Sequence, residues 1–206
     1  MLTPIEIMTI GHSTHSFQKF AELLTMHRVN AVADVRSAPY SRMHHQFDRE
    51  DLSDALKKEG IVYSFLGEEL GGRPKDDACY EDGRVQYQYV ANTQTFKRGI
   101  ERVLAGSQRY RIALMCAERE PIECHRGLLI APELEKSDVS VVHIHSDGTL
   151  ETHAEAVQRL LDSFGLRKQS PFLSGSDLIE EAYTKQRERV AHSRSAASQR
   201  RAQITG

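Results

Sequence analysis

The sequence predicts an α/β fold: a doubly wound, mostly parallel sheet of about five strands flanked by helices, plus a C-terminal helix. Three observations carry this. Five short apolar runs occur at 5–10, 31–35, 61–66, 112–115 and 140–144. Stretches with apolar residues at helical spacing separate them. The first two runs enclose such a stretch within thirty residues. That is a βαβ unit, which implies parallel pairing and a right-handed crossover.

Each element has its own signal. The run 5–10 stops at Gly11, His12 and Ser13, and Ser16 then caps a helix carrying Phe17, Phe20, Ala21 and Leu24. The strand at 31–35 closes on Asp34, Arg36 and the turn Ser37-Ala38-Pro39. Residues 40–48 lack a period and read as a loop, with Asp48 the N-cap of a helix that Gly60 ends. The strand at 61–66 runs into Leu70-Gly71-Gly72-Arg73-Pro74. Residues 75–89 are charged and irregular, in the manner of a lid or a disordered loop, with Cys79 exposed. Thr93 or Thr95 caps a helix bearing Phe96, Ile100, Val103 and Leu104. After the strand 112–115 a polar loop leads to a helix with Leu128, Leu129, Ile130 and Leu134. Pro132 falls inside that helix and must bend it or mark a later start. The strand at 140–144, an Asp147-Gly148 turn and a helix ending near Gly165 complete an α/β body over 1–166. Residues 167–192 read as a helical extension and 193–206 as a disordered basic tail.

Composition narrows the function classes. The chain has 206 residues, 39% hydrophobic and 27% charged, with a net charge of −2. This gives no whole-molecule attraction to nucleic acid or membrane. The charge is uneven, however: residues 166–206 hold eight Lys/Arg against four Asp/Glu, and the rest of the chain is correspondingly acidic. No run is long enough to span a membrane, and the N-terminus lacks signal-peptide character. Three cysteines do not make a disulfide scaffold, so a cytoplasmic protein with reduced thiols is expected.

The chemistry concentrates in RIALMCAEREPIECHRGLLIAP, residues 111–132. Two thiols, a carboxylate, an imidazole and a guanidinium lie within eleven residues, where a strand ends and a helix begins. Parallel strands all finish at one edge, which is where open α/β sheets build sites. Cys116 is the expected nucleophile or redox thiol, its pKa lowered by a helix start and nearby arginines. Cys124 is a second or resolving thiol, and Glu118 and His125 are proton-transfer groups, with Cys116 and these three forming the catalytic set. His12, Ser13, Asp34, Arg36, Arg42 and Arg126 form the expected substrate-binding set, with the arginines orienting an anion. His143 belongs to the same edge. A phosphatase C-x5-R loop is excluded, because positions 122 and 130 are isoleucine. A rhodanese-type loop fits poorly, with nine residues between Cys116 and Arg126. With no C-x2-C or H-x3-H spacing, neither metal nor cofactor is expected; the metalloprotein alternative would draw on Cys116, Cys124, His125 and His12.

These pieces resemble the DUF488 family, a domain of unknown function. The resemblance rests on TIGHS (9–13), ADVRSAPYSR (33–42), LGG (70–72), MCAEREPIECHR (115–126) and VVHI (141–144), spanning residues 7 to about 165. LIEEAYTKQRERVA near the C-terminus resembles the end of some members. The resemblance implies an α/β fold and no particular activity. The residues therefore leave three functions: a thiol-dependent enzyme on a small anionic or nucleotide-like substrate, a non-catalytic nucleotide or nucleic-acid binding module, and a metal-binding protein.

Overall fold

A computed structural model describes residues 5–41, 43–166 and 175–190. Arg42, the flanks of the C-terminal extension and the tail 193–206 lie outside the described residues. The expected strands form as β1 (Ile5–Gly11), β2 (Ala31–Asp34), β3 (Val62–Phe65), β6 (Ile112–Cys116) and β7 (Val139–Ile144). A short hairpin, β4 (Tyr80–Glu81) and β5 (Arg84–Val85), lies between β3 and β6, and β8 (Leu150–Thr152) follows β7. Among the described residues the main sheet has six strands in the order β3-β2-β6-β1-β7-β8. The first five are parallel, and only β8 pairs antiparallel, on β7. The sheet of about five, mostly parallel strands is borne out, with β8 added at its edge. That strand is three residues long, which leaves too little alternation to read.

Helices cover both faces, as the doubly wound expectation requires. Side chains alternate across the sheet. Met8, Ile10, Val32, Ala113 and Met115 point to one side, where α1 (Phe17–Met26) and α2 (Arg49–Lys58) pack through Phe20, Leu24, Leu52 and Leu56. Ile7, Ala31, Ala33, Ile112, Leu114 and Cys116 point to the other. That face carries α3 (Gly67–Leu70), α4 (Tyr87–Asn92), α5 (Gln94–Ser107), α6 (Ala131–Glu135), α7 (His153–Ser163) and α8 (Gly175–Val190). The caps follow the sequence: Ser16 accepts from the Lys19 N–H and Thr93 from the Phe96 N–H. Gly60 and Gly165 take the left-handed conformation that ends their helices.

Pro132 is resolved by a change of helix type. Residues Arg126–Ile130 form a π-turn, in which the Ala131 N–H reaches the Arg126 carbonyl, and α6 starts with Pro132 in its first turn. Proline there is tolerated because first-turn N–H groups have no intrahelical partner. It leaves the Leu128 carbonyl, four residues back, without the helical N–H that another residue would supply. The Arg187 guanidinium of α8 takes that carbonyl with Nε at 3.2 Å and Nη2 at 3.1 Å.

Residues 75–89 are ordered rather than irregular. Asp82 and Gly83 both have positive φ, 49° and 74°, the two-residue turn that suits a hairpin's twist. Cys79, expected on the surface, is buried in the 3₁₀ turn Asp77–Cys79. A further correction concerns His143. It sits inside β7, in register with Thr9, and not at the strand's end. There it joins a buried chain of hydrogen bonds: Thr9 Oγ1 to His143 Nδ1 at 2.7 Å, His143 Nε2 to His153 Nδ1 at 3.1 Å, and His153 Nε2 to the Tyr183 hydroxyl at 2.8 Å.

Candidate functional site

The four residues expected to be catalytic meet at the carboxyl end of β6. Cys116 is its last residue, on the face opposite Met115. Glu118 follows in the loop, and Cys124 and His125 precede the π-turn. The Cys116 thiol lies 2.8 Å and the Cys124 thiol 3.1 Å from one carboxylate oxygen, Glu118 Oε2. His125 Nδ1 is 3.8 Å from the Cys116 sulfur and 3.7 Å from the Cys124 sulfur. The other ring nitrogen, Nε2, is 2.9 Å from the Val35 carbonyl. A carbonyl can only accept, so Nε2 carries a proton and Nδ1 faces the sulfurs.

Close backbone approaches hold this geometry. The Gly11 position has no room for a Cβ, which would lie 2.0 Å from the Glu118 carbonyl oxygen. A Cβ on Gly72 would lie 2.8 Å from the His125 ring. The His12 and Ser13 N–H groups continue the β1–β6 ladder onto the Cys116 and Ala117 carbonyls at 2.8 and 3.0 Å. Ser13 takes a positive φ of 47° as the chain turns away. Glycines in TIGHS and LGG are thus required where loops from β1 and β3 press on the loop after β6.

Charge within the cluster is shaped by burial and by the neighbours. Burial opposes ionisation at Cys116, reinforced by Cys124 and Glu118, and its pKa is pushed well up. Burial also opposes ionisation at Cys124, but there the Cys116 thiol, Arg126 and His125 work against it and shift its pKa downward. The two thiols are coupled, both face Glu118 Oε2, and Arg126 and His125 favour negative charge on Cys124. Glu118 is held at about 2: burial acts against this, and the two thiol hydrogen bonds prevail. His125 is raised, burial being outweighed by Cys124 and Glu118.

The expected substrate-binding residues divide differently. Arg36 is buried and doubly bonded to Asp34, with Nε to Oδ1 at 2.9 Å and Nη2 to Oδ2 at 2.7 Å. Nη2 also reaches the Phe47 carbonyl at 2.8 Å, and Nη1 lies 3.3 Å from His12 Nε2. The Tyr63 hydroxyl donates to Asp34 Oδ2 at 2.8 Å. His12 stacks on Phe47 at 4.3 Å, and burial with Arg36 lowers its pKa to about 4. Arg126 is buried, and its Nη atoms donate to the main-chain carbonyls of Glu118 and Arg119 at 2.6 and 2.8 Å. Asp34, His12 and Arg126 thus brace the site, and among the described members of this set only Arg36 lines its opening.

That opening is a cleft of about 200 Å³, with Cys116, Glu118 and His125 on its floor and Arg36, Tyr40 and Arg73 around it. Ser37, Ala38, Gly72 and Ala117 complete the wall. A neighbouring cavity of about 530 Å³ shares Ser37, Tyr40 and Arg73 and is walled by Pro39, Phe65 and Pro74. Ser37 and Tyr40 lay outside the expected set although both stand in the stretch 33–42. The signal was available, since they follow β2 at the same edge.

Fold and site together define an α/β protein with a buried thiol–carboxylate–imidazole cluster at the carboxyl edge of a parallel sheet. The family model described as "Domain of unknown function DUF488" matches residues 16–131, more than half of the chain, and the chain belongs to that family. The matched region holds the whole cluster. No curated protein and no solved structure matches the chain. Among the described residues no helix is long and apolar enough to cross a membrane.

Proposed function

We propose that the chain is a thiol-dependent enzyme acting on a small anionic, nucleotide-like substrate in the cleft over Cys116, Glu118 and His125. One observation carries this reading: reactive groups of three kinds form the floor of an open cleft with two arginines beside it. A site that only braced the fold would not need a carboxylate, two thiols and an imidazole turned toward one point. The arginines favour a phosphate or carboxylate. The adjoining cavity, with Phe65 and two prolines, suits the flat body of a base. Both thiols are needed, Cys116 at the cleft and Cys124 behind it.

A non-catalytic nucleic-acid module has less support. In α8 three basic residues face four acidic ones, and Lys185 and Arg187 pair with Glu181 and Glu180. A sequence-independent nucleic-acid surface needs unpaired positive charge.

Calorimetric titration with adenosine monophosphate and with inorganic phosphate tests the reading. Binding of the nucleotide should weaken at least tenfold in Arg73→Gln and stay unchanged in Lys57→Gln, a remote surface control. If neither probe binds at millimolar concentration, or Arg73→Gln binds like the wild type, the substrate class is wrong.

A further inference from the structure

We propose that Cys116, Glu118, Cys124 and His125 hold one metal ion of the zinc class, which revises the expectation of no metal. This goes beyond the thiol reading of the cleft: with the ion bound both sulfurs are ligands, and free-thiol chemistry belongs to the metal-free chain. One donor atom from each residue lies within 4.8 Å of all the others. Tetrahedral bonds of about 2.3 Å to sulfur and about 2.0 Å to nitrogen separate such donors by roughly 3.5 Å. The two sulfur–imidazole distances, 3.8 and 3.7 Å, are near that value. The two sulfur–carboxylate distances, 2.8 and 3.1 Å, are shorter because a thiol proton lies between the atoms. An ion replacing those protons needs the carboxylate to retreat by about 0.5 Å. Glu118 is half-buried on the cleft side and can do so.

Two further features point to an ion. The bond from His125 Nε2–H to the Val35 carbonyl fixes the ring so that Nδ1 presents its lone pair to the centre. That outer bond is the usual companion of a metal-bound imidazole. The second feature is Arg126. Its guanidinium is buried, bonds only main-chain carbonyls, and has an Nε without a hydrogen-bond partner. Among the described residues no carboxylate pairs with it. A buried cation needs a counter-charge. Two thiolates and a carboxylate around a divalent ion carry a net charge of −1, the same as ionised Glu118 alone, so an ion can be loaded without leaving Arg126 uncompensated. Loading is a ligand exchange without oxidation: two metal–sulfur bonds form, two S–H bonds break, and both protons pass to solvent. Thiolate and imidazole donors select zinc or iron(II) over magnesium or calcium. The cluster differs from the ligand set expected from sequence by one residue. His12 is stacked on Phe47 and bonded to Arg36, and Glu118 takes its place.

The test uses the full chain, purified under reducing conditions without chelator. Elemental analysis should find about one equivalent of zinc or iron per chain. After removal and reloading with cobalt(II), the protein should show the intense visible bands of a tetrahedral ion and a near-ultraviolet thiolate band. Cys124→Ala and His125→Ala should lower bound metal at least tenfold, and Cys79→Ala should not. If those variants fail to fold, wild-type protein decides. Metal should slow alkylation of Cys116 and Cys124 at least tenfold and leave Cys79 unchanged. Metal below a tenth of an equivalent after reloading, octahedral cobalt spectra, or a Cys116–Cys124 disulfide in place of the ion would overturn the proposal. Zinc bound without any affinity for adenosine monophosphate would remove the substrate reading and leave the metal centre standing.

Discussion

Replacing Arg187 by methionine removes the group that takes over the carbonyl orphaned by Pro132. The side chain is about one-fifth exposed. It makes two charge-assisted contacts to the Leu128 carbonyl, one ion pair with Glu180 at 3.0 Å, and lies 5.0 Å over the Tyr183 ring. Glu180 is largely exposed, so that ion pair contributes no more than about 0.5 kcal/mol. The Leu128 carbonyl belongs to a fully buried residue, and leaving it unpaired costs roughly 1–3 kcal/mol. Arg187→Met should therefore destabilise by about 2 kcal/mol, and Glu180→Gln by less than about 0.5 kcal/mol. Pro132→Ala restores an N–H within reach of the same carbonyl, so Arg187→Met should cost less in that background. Urea unfolding followed by circular dichroism measures all four species, since the chain has no tryptophan. An Arg187→Met cost no larger than that of Glu180→Gln would refute the capping role. So would an equal cost in both backgrounds.

Three other outcomes follow from the structure. Burial lowers the pKa of His143 to about 2 and of His153 to about 4 from 6.5. Below pH 6.5 the unfolded chain takes up protons that the folded chain refuses, so stability is complete above that value and falls toward pH 4. At pH 5 the loss is roughly 2 kcal/mol for each histidine, and equal urea midpoints at pH 7 and pH 5 would contradict it. Asp34→Asn breaks a buried pair in which Asp34 is fully and Arg36 nearly fully covered, and should cost about 3–5 kcal/mol by denaturant titration. Gly72→Ala drives a Cβ into the His125 ring and should lower zinc affinity at least tenfold, with a thermal midpoint shift of only a few degrees, both read on one preparation.

What the sequence reveals and what it hides differ by kind of interaction. The five parallel strands are legible because each is an apolar run bounded by turn residues. The meeting of Cys116, Glu118, Cys124 and His125 is legible because all four lie within one strand–loop–helix segment. The hairpin at 80–85 carried its signal in Asp82-Gly83, but charged flanks lacking alternation masked it. The antiparallel β8 was hidden by its brevity. The pairing of Arg36 with Asp34, two residues away, was open to reading, but the roles of Arg126 and Arg187 were not legible. The buried partners of these two are main-chain carbonyls, which carry no sequence label.

The arginines show why site residues are harder to read than folds. A guanidinium beside a predicted site looks like an anion ligand, yet it can equally close a loop. Arg126 bonds the carbonyls of Glu118 and Arg119, so it fixes where the carboxylate of Glu118 can point. Arg36 neutralises Asp34 and, through its contact with His12, ties β2 to the turn after β1. Both residues spend their hydrogen-bonding capacity on the frame. Of the two arginines in the cleft wall, Arg36 is buried and committed to Asp34, and Arg73 follows the LGG turn. Arg73 stands in a turn whose shape depends on Gly71 and Gly72: a Cβ on Gly71 would lie 2.6 Å from Ser37 Oγ, the atom that accepts the Arg73 N–H at 2.9 Å. The LGG turn therefore does two tasks through one backbone path. It clears space for His125, and it sets the backbone of Arg73 in the cleft wall.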